Sequence, residues 1–295
     1  MEYNLKMSLF LLIAFFNSGH LVHPDYGNEL HILYSIFQTE DGKKIGIGAG
    51  FFRGEFLSFS LGALLFGYIP SDEEPDYEVH PIWSGGYPVE NTAYVFGEKG
   101  MIKIEGEDLY ATLTTKNYSF FLKSHSLNPG CEFKFQSSDA EETLFISRFQ
   151  SEGRVRVHGV ETNLSGFSFF WNLWGRKRLK LNDHAVFCAG EQCGFIQFDM
   201  KKKLAKMFIC PKKEEVETEF AIRRFSKGKV TGKYYPSEIE LKNERMRINV
   251  SSMKQEAKLL TLSYLIALVE IEKNSKRGSG FIFFHPLEEK KKWEF

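Results

Sequence analysis

Between Leu144 and Phe198 the chain reads LFISRFQSEGRVRVHGVETNLSGFSFFWNLWGRKRLKLNDHAVFCAGEQCGFIQF, a series of strand-length apolar runs separated by turn residues. That rhythm limits the possible folds more than any other feature. Gly153 is expected to end the first run, and Gly159 with Glu161-Thr162-Asn163 the second. Asn182-Asp183 and Ala189-Gly190-Glu191-Gln192 read as the tips of two successive hairpins. Side chains alternate between the two faces of a strand, so Phe167, Phe169, Trp171 and Leu173 share one face.

The rest of the chain repeats this pattern. Glu29 to Phe52 is predicted to be a hairpin turning at Asp41-Gly42. Gly46, Gly48 and Gly50 bare one face of its second strand, which allows a ligand or a crossing strand to approach closely. Phe56 to Ile69 is apolar without clean periodicity, and Pro70 to Pro75 is an acidic loop. His80 to Asn91 reads as a long connection rich in Gly and Pro. Short strands are expected at Met101–Ile104, Leu109–Thr114 and Tyr118–Leu122, and Asn128-Pro129-Gly130 is a turn. Later strands fall near 206–210, 219–225, 239–241, 246–250 and 281–284. Residues 253–271 contain good helix formers, yet Leu260, Leu262, Tyr264, Ile266 and Leu268 alternate, which gives a strand over 260–271. Strands this regularly spaced form a sandwich or barrel rather than βαβ units.

Charge excludes one large class of function. Lys+Arg and Asp+Glu are both 38, so the chain lacks the basic excess of a nucleic-acid binder. Arg176-Lys177-Arg178, Lys201-Lys202-Lys203 and Lys290-Lys291-Lys292 read as solvated strand ends. The 29 Phe fit either a β-rich core or an aromatic-lined cavity for an apolar ligand, and composition does not separate the two. The four cysteines form no C-x-x-C motif, so neither a metal nor a cofactor is expected. Cys188 and Cys193 flank the AGEQ turn and pair as a disulfide if the chain is exported. Export follows from residues 1–19, where Lys6 precedes the apolar run SLFLLIAFF and a short polar end; this favours a secreted or periplasmic location.

Three groups of residues resemble the two-domain lipocalin-like family that includes the carotenoid 1,2-hydratases (hydroxyneurosporene synthases). Glu29, Tyr34, Asp41-Gly42, Gly46 and Phe51-Phe52-Arg53 are similar to that family's opening hairpin. Arg148, Gly153, Val157, Gly166-x-Ser168-Phe169 and Trp174 resemble its G-x-A-W-x-D-x-x-W segment, and Tyr264, Val269 and Gly280 its closing strands. The resemblance spans most of residues 25–285 and implies an all-β chain of two lipocalin-like antiparallel β-barrels, one over 20–163 and one over 164–295.

The departures bear on function. His31 and Ile32 stand where the family has tryptophans, Phe169 takes a tryptophan position, and Trp171 takes the aspartate position. Hydrating an isolated alkene needs a Brønsted acid in an apolar pocket, with aromatic faces to stabilise the cation. Trp171 supplies no such proton, so no catalytic residue is assigned. Of the nearby acid-capable groups, Asp183 and His184 read as turn residues, Glu161 ends a strand, Asp199 remains, and His158 shares a solvated face with Arg154 and Arg156. The expectation is therefore non-catalytic binding of a lipid or isoprenoid by Tyr34, Phe52, Phe167, Phe169, Trp171 and Trp174. That reading allows peripheral membrane contact. The alternatives are a hydratase, cyclase or isomerase with a displaced acid, and an interaction scaffold whose barrels are filled by their own side chains.

Overall fold

The computed structural model describes residues 28–56, 59–82, 87–89, 93–127, 132–136, 141–175, 182–259 and 262–287. The N-terminal apolar run, the Asn128-Pro129-Gly130 turn and the basic runs at 176–178 and 290–292 lie outside them. Every regular element among the described residues is a strand. In the first half these are β1 (Asn28–Gln38), β2 (Lys44–Phe56), β3 (Phe59–Pro70), β4 (Asp76–Ile82), β5 (Tyr87–Val89), β6 (Ala93–Val95), β7 (Gly100–Glu105), β8 (Asp108–Thr114), β9 (Tyr118–Ser126), β10 (Glu132–Gln136), β11 (Glu141–Val157) and β12 (Val160–Gly175). They form one curled sheet in the order β4-β3-β2-β1-β12-β11-β9-β8-β7-β6-β5, with β10 paired to β11. The second half is a closed antiparallel barrel of β13 (His184–Ala189), β14 (Gln192–Asp199), β15 (Leu204–Cys210), β16 (Glu214–Lys227), β17 (Tyr234–Leu241), β18 (Met246–Leu259), β19 (Leu262–Lys273) and β20 (Lys276–Phe284). The all-β expectation holds: among the described residues the first unit is a curled half-barrel sheet and the second a closed antiparallel barrel.

The turns are where residue chemistry places them. Gly42 takes φ +83° between β1 and β2, and its N–H bonds the Thr39 carbonyl at 2.9 Å. His158 and Gly159 both have positive φ in the tight β11–β12 turn, the conformation whose twist matches antiparallel strands. Gly153 does not end a strand. β11 runs straight through it, and a Cβ there would lie 2.2 Å from the Phe121 carbonyl oxygen, so glycine permits the close approach of β9. The stretch read as a connection over 80–91 contains the end of β4 and the short β5.

By its contacts the chain divides between Leu179 and Lys180, with 44–46 and 67–77 grouping with the second unit. The boundary expected at residue 163 falls inside β12, which is fastened along its length to β1 and β11. The bare glycine face of β2 is filled by protein. A Cβ on Gly50 would meet Leu65 at 3.0 Å, and one on Gly46 would meet Leu268 at 2.3 Å and Phe281 at 3.2 Å.

The barrel interior is a continuous apolar core that includes Phe187, Phe198, Met207, Phe220, Tyr235 and Phe284. Eight strands enclose a space that side chains can fill, and here they do. The 260–271 strand is present as β19, but its inward residues are Leu265, Ala267, Val269 and Ile271, the opposite parity to the one singled out from sequence.

Candidate functional site

A chain of serine hydroxyls identifies the inner face of the curled sheet. Along β9 burial alternates strictly: Tyr118, Phe120, Leu122 and Ser124 are buried, while Phe121 is 41% exposed on the other face. Ser124 Oγ lies 2.8 Å from Ser151 Oγ on β11, Ser151 donates to Ser168 Oγ on β12 at 2.8 Å, and Ser168 lies 2.7 Å from Ser35 Oγ on β1. All four therefore point to the same side. By alternation that side also carries Glu29, His31 and Leu33 on β1, and Phe170, Asn172 and Trp174 on β12.

At one end of this face sits a polar cluster with no solvent exposure. Glu29 is fully buried. Its Oε2 accepts the Tyr94 hydroxyl at 2.5 Å, and its Oε1 accepts Asn172 Nδ2 at 3.1 Å. His31, also fully buried, places Nε2 3.6 Å from Glu29 Oε1. The His31 ring stacks on Phe170 at 6.0 Å and lies 5.2 Å from the Tyr94 ring. Arg53 from β2 stands over Tyr94, its guanidinium carbon 5.9 Å from the ring centroid. Phe51 and Phe96, 5.9 Å apart, continue the aromatic wall. Trp174 is directly opposite Glu29 in the β1–β12 register.

Burying a carboxyl group costs several kcal/mol unless hydrogen bonds offset it. Here side-chain donors that include Tyr94 on β6 and Asn172 on β12 do so. The arrangement is a proton-carrying group with a phenol and an imidazole beside it, walled by aromatic rings. Such a site can give a proton to an apolar molecule and stabilise the cation that results.

The residues expected to line a pocket are divided by the strand alternation. Tyr34, Phe169 and Trp171 are buried on the outer face, where Tyr34 opposes Phe169 and Ile32 opposes Trp171. Phe167 lies edge-on to Phe169 at 5.7 Å on that same outer face, and Phe52, next to the inward Phe51 on β2, takes the opposite face by alternation. Only Trp174 reaches the inner face with Glu29. The shared parity of Phe167, Phe169 and Trp171 is present, but the interior belongs to the other parity, because both faces of β1 and β12 are apolar enough to be buried. Glu29 and His31 were missed as site residues. Their signal was available in NELHILYSIF, where Glu29, His31 and Ser35 fall at alternate positions of an otherwise apolar strand.

The other acid-capable groups have structural partners. Glu161 pairs with Arg154 and Arg156 at the surface, and Asp199 accepts the Lys201 and Lys202 amides in a turn. Asp183 Oδ1 accepts the His285 backbone amide at 2.7 Å and lies 2.9 Å from His285 Nδ1. His184 is buried between the rings of Phe195 and Phe283, at 5.5 and 5.2 Å, and its Nδ1 lies 2.8 Å from the Asn182 carbonyl. Burial pushes its pKa down to about 3, so the ring is neutral. Next in the same stack, Tyr264 is pushed up to about 12, again by burial. The Cys188–Cys193 disulfide is formed across the AGEQ turn, and Cys210, opposite Cys193 in register, is also disulfide-bonded.

The chain matches no protein-family profile and no curated protein sequence. Solved structures do match. A protein from Nitrosomonas europaea, described as a candidate AttH, superposes with a TM-score of 0.71 over 89% of this chain and 93% of its own, at 13% identity. The chain shares its fold. Kievitone hydratase from Nectria haematococca matches with a TM-score of 0.63, covering 91% of each chain at 14% identity. CghA with Sch210972 matches with a TM-score of 0.52 over 91% of this chain and 94% of its own, at 11% identity. At these identities the likeness is one of fold alone: an all-β chain with a curled sheet and a closed eight-stranded antiparallel barrel.

Proposed function

We propose that the protein catalyses proton transfer to an unsaturated, largely apolar small molecule, as a hydratase, isomerase or cyclase. The buried Glu29 carries this reading. Apolar residues of similar volume at such positions are often neutral or stabilising, so a fully buried carboxyl group held by the Tyr94 hydroxyl and the Asn172 amide points to chemical use. Glu29 protonates one alkene carbon, and the C=C electron pair forms the new C–H bond. The carboxylate left behind is held by the Tyr94 O–H and the Asn172 N–H. The adjacent cation faces the rings of Tyr94, Phe170 and Trp174. It then loses a neighbouring proton back to Glu29, is attacked by a second double bond to give a ring cation that in turn loses a neighbouring proton to Glu29, or is captured by water whose surplus proton returns to Glu29. Each outcome balances without a cofactor. The similarity to a hydratase in fold supports the class, while fold alone does not select among the three reactions.

The test is a panel of terpenoid alkenes and polyunsaturated fatty acids incubated with the protein in D2O and followed by mass spectrometry. Deuterium in recovered or converted compound is the expected result. Saturable uptake of a compound with no label in any member of the panel supports non-catalytic binding and rejects this reading.

A further inference from the structure

Two valines at hairpin tips are the most exposed large apolar side chains among the described residues, Val160 at 69% and Val230 at 66%. They differ in what surrounds them. Val160 follows the β11–β12 turn beside Glu161, whose carboxylate pairs with Arg154 and Arg156. Val230 is the apex of the loop between β16 and β17, which reads KGKVTGK over 227–233. Lys227, Lys229 and Lys233 are all exposed, and none pairs with an acid among the described residues.

The loop is built to hold this arrangement. Glu256 of β18 accepts the backbone amides of Lys229, Val230 and Thr231 at 2.8, 3.1 and 3.1 Å, and the Thr231 hydroxyl at 3.2 Å. Gly228 N–H donates to the Lys233 carbonyl at 2.7 Å and Gly232 N–H to the Gly228 carbonyl at 3.1 Å, so the loop closes on itself. Both glycines are required. A Cβ on Gly228 would collide with the Glu256 carboxylate, and Gly232 takes φ +67°. Thr231 Oγ1 also lies 3.1 Å from the hydroxyl of Tyr235, a member of the barrel core, which seats the loop on the barrel. With the amides of 229–231 all directed at Glu256, the Val230 side chain is held outward. One carboxylate against three ammonium groups leaves the tip net positive.

We propose that this tip docks on an anionic lipid surface, with Val230 entering the headgroup region and the three lysines meeting the charged headgroups. An apolar apex flanked by cations matches the order of such a surface, apolar at depth and negative outside it. An acidic protein surface would pair with the lysines and leave Val230 against polar groups. Because the loop is already ordered, docking carries little ordering cost. Each lysine near an anionic surface contributes about fivefold in partitioning, and burial of the valine about tenfold. Contributions of that size make a reversible peripheral contact rather than an anchor.

The experiment is flotation of the full chain with phosphatidylcholine vesicles, with and without phosphatidylserine. Binding is expected to the vesicles that contain phosphatidylserine, and to weaken at high salt. Replacing Lys227, Lys229 and Lys233 together by Gln should lower partitioning about a hundredfold. Val230→Asp should lower it about tenfold or more, and Val230→Trp should raise it, since tryptophan favours the membrane interface. Val160→Asp, at an equally exposed tip, should leave it unchanged. These side chains are exposed, so each variant should melt like the parent, which keeps a loss of binding distinct from unfolding. Failure to bind phosphatidylserine vesicles at low salt overturns the proposal. So does binding that survives the triple lysine replacement, ignores Val230→Asp, or falls equally with Val160→Asp. Loss of binding in inorganic phosphate, but not in chloride of equal ionic strength, assigns the lysines to a free anion and also overturns it. Glu29 takes no part in this contact, so deuterium labelling and vesicle binding stand or fall separately.

Discussion

Acidification is expected to weaken the barrel through His184. The ring sits between Phe195 and Phe283, and its pKa is pushed down from 6.5 to about 3, chiefly by burial. The hydrogen bond to the Asn182 carbonyl opposes this shift, and His285 adds a smaller push downward. An unfolded chain protonates this histidine below about pH 6.5, while the folded barrel does not until about pH 3. Stability is therefore unaffected above 6.5 and falls as the pH drops through that window. At pH 5 the loss is about 2 kcal/mol, taking about 1.36 kcal/mol per pH unit below 6.5. His184→Phe fills the same stack without a titrating group. It loses the bond to Asn182, at a cost of about 1 kcal/mol that does not depend on pH. The assay is urea unfolding of both proteins at pH 7.5 and pH 5, followed by a signal from the barrel. Every other side chain is the same in both proteins, so the difference between them is assigned to His184. That difference should shift by about 2 kcal/mol in favour of the variant on acidification. If it stays flat, the ring is hydrated or ion-paired, and the dry stack is wrong.

Other outcomes follow from particular contacts. Trp171→Asp is expected to lower the melting temperature sharply and to create no hydratase activity, because Trp171 is 3% exposed and faces away from Glu29; a melt like the parent's would place position 171 in solvent. Gly166→Ala should destabilise by about 1–3 kcal/mol or more, since its Cβ would lie 2.1 Å from the Ile36 carbonyl oxygen, and a chemical melt unchanged within error would contradict this close crossing. Glu256 collects the amides of Lys229, Val230 and Thr231, so Glu256→Gln should speed amide exchange across 229–231 without unfolding the barrel; protected amides there would show that the loop holds itself. Non-reducing peptide mapping should recover Cys188 linked to Cys193, and free thiols at both would remove that bridge from the structure.

Much of the fold was legible because turn chemistry is local. Asp41-Gly42 and the AGEQ tip each specify a hairpin without reference to the rest of the chain. Which face of a strand points inward is not local. Phe167, Phe169 and Trp171 drew attention because aromatic residues suggest an interior, yet β1 and β12 are buried on both faces, and hydrophobicity cannot then rank them. The polar residues were the better guide. Glu29, His31 and Ser35 would be cheaper in solvent, so their place in an apolar strand marked the face with partners for them. Those partners were out of reach of sequence. Tyr94 lies 65 residues from Glu29 and Asn172 lies 143, and only the curl of the sheet brings them together. Gly153 misled for the same reason, since its role is to admit a neighbouring strand rather than to end its own.

The account stands or falls on Glu29 as the group that moves the proton. Glu29→Gln keeps the size of the side chain and an oxygen for the Tyr94 hydroxyl, but has no carboxyl proton to give. For whichever compound the wild-type protein labels in D2O, the variant should still take it up while labelling slows by at least about 10²-fold. Labelling by Glu29→Gln at the wild-type rate would contradict the account and return Glu29 to a purely structural role.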